Sequence, residues 1–255
     1  MYNICKESAT SDNATSLSVC VKNDSIPTLN CIYIKNGNPK NMVIMLHGYA
    51  SNKESFSNIA KQINLTDTLF VIPDAPYSCG GNESLNSQAN IGFEWFPLPN
   101  LDPKIASRHI AKYHNNVHHL INTQCSKHKI KEDRVALVGF SQGGFIGLHA
   151  GLQMPKNKTL AGVVTVGSGF LDSIARDKTI SKTKISFIHG GEDKVVPTVL
   201  SRLSHRHFQK LGIDSDLTIV PNTHHTINSD VAGHISNSLQ LMFKDIDDKK
   251  RTMKY

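Results

Sequence analysis

The stretch Val135-Ala136-Leu137-Val138-Gly139-Phe140-Ser141-Gln142-Gly143-Gly144 decides the reading of this chain. Its first residues are small and branched apolar side chains, the composition of a buried strand. The run breaks at Gly-Phe-Ser-Gln-Gly, and the small-residue segment behind it predicts a helix. This is a G-x-S-x-G turn set between a strand and a helix. So tight a turn needs glycines on both sides of the serine, which it lifts out at the carboxyl end of the sheet. The helix N-terminus behind it offers free backbone N–H groups to a developing negative charge. Ser141 is therefore the candidate nucleophile. The pattern alone is common, and its weight comes from the strand, the helix and the partners found elsewhere in the chain.

Outward from the turn, strands and helices alternate. Cys31 to Lys35 and Met42 to Leu46 read as strands separated by the turn signal Asn36-Gly37-Asn38-Pro39. Ser55 to Ile63 has helical spacing, Thr68 to Ile72 is a strand stopped by Pro73, and Tyr77 to Asn90 reads as a loop. Asp102-Pro103 predicts a helix start, with an apolar face running to about Ser126. Beyond the turn come strands at Leu160 to Val166, Ile185 to Ile188 and Leu217 to Val220. Helices follow at Thr198 to Leu211, closed by Gly212, and at Asn228 to Phe243. Continuous apolar strands alternating with helices predict an α/β fold, a mostly parallel central sheet covered by helices on both faces.

Composition narrows the classes. The 255 residues suit one α/β domain, expected over 29–246, with a polar lead-in at 1–28 and a basic tail at 247–255. The lead-in holds a candidate strand near Leu17 to Val21 and lacks the basic-then-apolar pattern of a secretory signal. No apolar run reaches the ~18 residues of a membrane span. The five cysteines, Cys5, Cys20, Cys31, Cys79 and Cys125, are scattered and form no C-x-x-C pair, which predicts a reducing cytoplasm. A net charge of +7 is spread over dispersed lysines. It excludes the patterned basic stretches of a nucleic-acid binder and leaves room for weak membrane-surface contact and for a homodimer.

A serine hydroxyl is a weak nucleophile and needs a base, and the base needs an orienting carboxylate. Both belong on loops after strands, in the order Ser, Asp, His. His189-Gly190-Gly191-Glu192-Asp193-Lys194-Val195-Val196-Pro197 follows one strand and supplies Asp193. Pro221-Asn222-Thr223-His224-His225-Thr226-Ile227 follows another, and spacing leaves His224 and His225 tied as the base. His234 falls inside the last helix pattern and reads as a surface or packing residue. An oxyanion needs two backbone donors. Gln142, after the serine, supplies one, and the loop His47-Gly48-Tyr49-Ala50 supplies the other. His47 reads as a structural support.

Taken together, these residues resemble the phospholipase/carboxylesterase family of α/β hydrolases, from about Met42 to Phe243. The matching pieces are Leu46-His47-Gly48, Pro73-Asp74-Ala75-Pro76, Trp95-Phe96, the Gly139 to Gly144 block, the Gly190 to Pro197 loop and His225-Thr226-Ile227. The resemblance implies the α/β-hydrolase fold and a serine esterase or thioesterase with the triad Ser141, Asp193 and His225. The family's Gly-His-Ser or Gly-His-Thr motif aligns with His224-His225-Thr226 and favours His225. It further implies oxyanion donors at Tyr49 and Gln142, a small-molecule or lipid ester or thioester substrate, and no cofactor or metal. Trp95 and Phe96 become candidates to line an acyl pocket, with ordinary core packing as the rival reading. Two departures stand out. The family's second glycine after His-Gly-x is Ala50 here, which keeps its geometry only if φ stays negative. The stretch Gly92 to Pro97 lacks the family's arginine before Trp-Phe and its aspartate after.

His114 and His118 are four apart on a helix, but the glutamate of a zinc-protease helix is absent between them, so they are expected on a solvated face. A different class of function, a catalytically silent α/β fold used as a binding module, is opposed by the presence of all three triad residues. A serine peptidase on the same fold ranks lower still, because no large lid or added domain selects peptides.

Overall fold

The structure is a computed structural model that describes residues 28–79, 92–97, 103–155, 157–170 and 180–252. The candidate strand at Leu17 to Val21 and most of the Tyr77 to Asn90 loop lie outside the described residues. In chain order the elements begin with β1 (Cys31–Asn36), β2 (Asn41–Leu46), α1 (Lys53–Ala60) and β3 (Thr68–Pro73). A short pair follows, β4 (Tyr77–Ser78) and β5 (Phe93–Glu94), then α2 (Pro103–His128). Next come β6 (Val135–Phe140), α3 (Gln142–Leu152), β7 (Gly162–Val166), β8 (Ile185–Gly190) and α4 (Thr198–Lys210). The chain closes with β9 (Ser215–Val220) and α5 (Ser229–Thr252).

The seven-stranded sheet has the order β1-β3-β2-β6-β7-β8-β9, with β1 antiparallel to β3 and every other pair parallel. The turn after β1 therefore does not form a hairpin with β2, and β1 lies instead at the edge beyond β3. Parallel strands buried on both faces need apolar residues at every position, and their alternate side chains serve opposite layers. Along β2, Met42, Ile44 and Leu46 join the layer that holds α2 and α3, through Ile110, Val117, Ile121, Ile146 and Leu148. Val43 and Met45 join the layer that holds α1 and α5, through Phe56, Ala60, Val231, Ile235 and Leu239.

Two boundaries depart from expectation. Tyr77 and Ser78 are not loop but pair with Glu94 and Phe93. The expected basic tail is largely helix, since α5 runs to Thr252. Its extra turns are tied to the body of the fold: Asp245 pairs with Lys184 at 3.0 Å, Lys250 with Asp133 at 2.9 Å, and Asp247 with Arg134. The expected solvated face at His114 and His118 is half-buried instead. The His114 ring lies 4.7 Å from that of His149 on α3 and 5.0 Å from that of His118, centroid to centroid. Three imidazoles meet there, yet among the described residues no group of three or more His, Cys, Asp or Glu is arranged to hold a metal ion. Among those residues, too, no helix is long and apolar enough to cross a membrane.

Candidate active site

Ser141 sits between β6 and α3 with φ +50° and ψ −118°, a conformation that a non-glycine residue adopts only under constraint. The constraint is visible in its backbone bonds. Its N–H donates to Val166 O at 2.9 Å, and its carbonyl accepts from Gly144 and Phe145 at 2.9 and 3.1 Å. The flanking glycines are demanded by packing. A Cβ at Gly143 would lie 2.1 Å from Leu46 O, and one at Gly139 would lie 2.3 Å from Gly143 O. The serine side chain makes no capping bond to its own helix.

Two loops at the same end of the sheet bring an acid and a base together. Asp193, after β8, is buried, and its Oδ1 accepts from the amides of Val195 at 2.9 Å and Val196 at 2.8 Å. Its Oδ2 lies 2.6 Å from His225 Nδ1. Burial pushes the Asp193 carboxyl up, but the His225 hydrogen bond and the Val196 and Val195 amides outweigh it and hold it below the usual carboxylate value. An ionised Asp193 can only accept, so His225 Nδ1 carries the proton and Nε2 is left free to take one. His224 points elsewhere. Its side chain is 67% exposed and its Nδ1 lies 3.2 Å from Glu192 O. Glu192, beside Asp193, is likewise at the rim.

The end of β7 links these loops to the serine. Val166 O holds the Ser141 amide, and the next residue, Gly167, has φ +55°. A Cβ there would sit 3.1 Å from the His225 ring and 3.4 Å from Asp193 Oδ2, so only glycine leaves room for the pair. On the other side, the Phe140 ring lies 4.7 Å from that of His225. Gly167 did not stand out in the sequence, and Phe140 did so only as the variable residue of the G-x-S-x-G turn, because both act through contacts that no local pattern encodes.

The His47-Gly48-Tyr49-Ala50 loop, expected to carry the second donor, packs directly on the turn. A Cβ on Gly48 would meet the Phe140 ring at 3.1 Å and Ser141 Cβ at 3.5 Å. Beneath it, His47 is fully buried, with Nδ1 2.7 Å from Gly48 O and Nε2 accepting from Ala75 N at 3.0 Å. Burial lowers its pKa, which keeps this ring neutral in that tautomer. The Pro73-Asp74-Ala75-Pro76 motif is thus a brace. Its Asp74 accepts from Lys53 N at 2.9 Å and pairs with the Lys53 ammonium at the start of α1. Ala50 has φ +57°, so the condition for a relaxed alanine is not met. Its N–H donates to Phe93 O at 3.0 Å and Ser51 accepts from Phe93 N at 2.8 Å, a ladder that imposes the left-handed turn. For alanine this conformation costs about 1–2 kcal/mol.

Trp95 and Phe96 are 0% and 2% exposed, and their side chains sit in the core. Trp95 Nε1 donates to His47 O at 2.8 Å. Both Trp95 N and Phe96 O are held by the Gln142 side chain, at 2.8 and 2.7 Å. Their place is to tie the turn to the donor loop, a role in which the Gln142 amide group shares. A cleft of about 540 Å³ lies at the other end of the parallel strands, among Asn41, Asn64, Thr66, Lys244 and Asp247, where β2 begins.

Residues 28–243 match the phospholipase/carboxylesterase family. The acyl-protein thioesterase 1 homolog 2 of Dictyostelium discoideum is 32% identical over 197 residues, 73% of this chain and 85% of that protein. The acyl-protein thioesterase 1 of Schizosaccharomyces pombe is 29% identical over 65% of this chain and 74% of its own. Among solved structures, that of esterase PE8 has a TM-score of 0.76 at 27% identity and covers 85% of this chain and 100% of its own.

Proposed function

This chain belongs to the phospholipase/carboxylesterase family of α/β hydrolases, and from that premise we propose that it cleaves carboxylic esters or thioesters through an acyl-enzyme on Ser141. The observation that carries this reading is the 2.6 Å contact of His225 Nδ1 with Asp193 Oδ2, beside a strained serine on the same end of the sheet. The Ser141 oxygen attacks the substrate carbonyl as His225 Nε2 takes its proton. The amides of Tyr49 and Gln142 hold the oxyanion, the Ala50 amide being already engaged by Phe93. The leaving alcohol or thiol departs with the proton from His225. Water then attacks the acyl carbonyl, gives a proton to His225, and the acid leaves as Ser141 recovers that proton. Asp193 fixes the tautomer throughout.

Hydrolysis of p-nitrophenyl esters from acetate to palmitate tests this, with Ser141→Ala as the control. Turnover that vanishes in the control is the expected result, and the chain-length optimum reports the depth of the acyl site. A folded protein inert toward every ester and thioester would favour the binding-module reading.

A further inference from the structure

His189 is a buried histidine that the triad does not use. It stands at the end of β8, four residues before Asp193, with no exposed surface. Its Nε2 lies 2.8 Å from Val196 O and 3.3 Å from Asp193 Oδ2. Neither a carbonyl nor an ionised carboxylate can donate, so the proton is on Nε2, which donates it to Val196 O while standing beside the carboxylate. Nδ1 is buried with no partner among the described residues, as suits the unprotonated nitrogen of that tautomer. Burial is the largest influence on the ring and lowers its pKa, so it stays neutral in neutral solution.

Oδ2 therefore accepts one imidazole N–H, from His225 at 2.6 Å, and has a second protonated imidazole nitrogen, His189 Nε2, beside it at 3.3 Å. Its twin, Oδ1, is held by the two amides of Val195 and Val196. Through its bond to Val196 O, the β8 ring locks the loop that supplies the amides. The positive end of its Nε2–H dipole also steadies Oδ2 beside the bond from His225, and by stabilising charge on that oxygen it weakens the pull of Asp193 on a protonated His225. The remaining titratable groups on these two loops are exposed: Lys194, and Glu192 and His224, which lie 3.7 Å from each other.

We propose that His189 is a positioning residue for the acid of the triad, setting both the rotation of the Asp193 carboxylate and the basicity it confers on His225. This inference rests on the triad reading above. It is tested by kcat/KM for a p-nitrophenyl ester as a function of pH in three variants, each checked for folding by circular dichroism. His189→Leu removes the donor, His189→Gln keeps an N–H near the Nε2 position, and His189→Asn places its amide near Nδ1. The expected result is a loss of roughly tenfold or more for His189→Leu, the scale seen when a partner behind a functional ligand is removed. Its acid limb moves to higher pH, because an Asp193 relieved of the neighbouring Nε2–H dipole holds the His225 imidazolium more strongly. His189→Gln restores both properties. A folded His189→Leu with unchanged kcat/KM and pH profile overturns the proposal. If that variant does not fold, the pair His189→Gln and His189→Asn decides, with Gln the more active if the proposal holds and equal activity overturning it. Ser141→Ala is assayed alongside. Retained activity there removes the triad reading and this inference with it, whereas a silent His189 series removes the inference alone.

Discussion

The loops that carry Asp193 and His225 and the α2–α3 contact that carries His114, His118 and His149 are both rich in histidine, yet their ring nitrogens are served differently. Around Asp193 the carboxylate accepts two hydrogen bonds on Oδ1 and one on Oδ2, and the rings of His225 and His189 each have a defined tautomer. In the helix contact, His114 Nδ1 lies 2.8 Å from Ala111 O and His118 Nε2 lies 2.8 Å from Ala150 O, but both nitrogens of His149 are buried with no partner among the described residues. Burial, followed by the neighbouring His114 and His118, lowers the His149 pKa to about 3. The same side chain is thus oriented by a carboxylate in one place and is an apolar filler in the other. Hydrogen-bond partners, not residue type, make the difference.

The contrast breaks most severely if the wired region loses its acceptor. Asp193→Asn offers an amide where His225 needs a carboxylate, which selects the wrong tautomer. A loss of about 10⁴-fold in kcat is expected, with the melting temperature near that of the parent. Gly167→Ala attacks the same pair by crowding. Its Cβ meets the His225 ring and the Asp193 carboxylate in a left-handed backbone, so kcat/KM falls by about tenfold or more while KM for a small ester moves little. A fully active Gly167→Ala enzyme would show that the pair has more slack than the geometry allows.

The helix cluster is expected to respond to acid rather than to substrate. His149 binds a proton in the unfolded chain below about pH 6.5 but resists it in the fold, so stability is full above that pH and declines as pH falls toward 3. Between neutral pH and pH 5 this group alone removes about 2 kcal/mol. Denaturant unfolding of the parent and of His149→Phe at both pH values measures it. The variant should lose that part of the pH dependence, and equal slopes would contradict the account.

Much of this was legible beforehand because parallel strands announce themselves by continuous apolar runs, and because Ser141, Asp193 and a histidine fall on loops after strands. The unresolved choice between His224 and His225 could not yield to spacing. Adjacent residues in one turn point in different directions, and only the Asp193 contact separates them. The length of α5 was hidden for another reason, since its last turns depend on Arg134, Lys184 and Asp133, which are distant in the chain. Likewise Trp95 reads equally as pocket or core until its indole is seen on His47 O. The left-handed Ala50 is set by Phe93, more than forty residues on, so a local reading of alanine could not foresee it.

The most direct test of the central claim is labelling with a fluorophosphonate, read by intact mass and by peptide mapping. Such a reagent phosphonylates only a serine whose proton a base removes. The account predicts one adduct, on Ser141, absent in Ser141→Ala and nearly absent in Asp193→Asn. An unlabelled, folded parent protein, or an adduct on another residue, would contradict it.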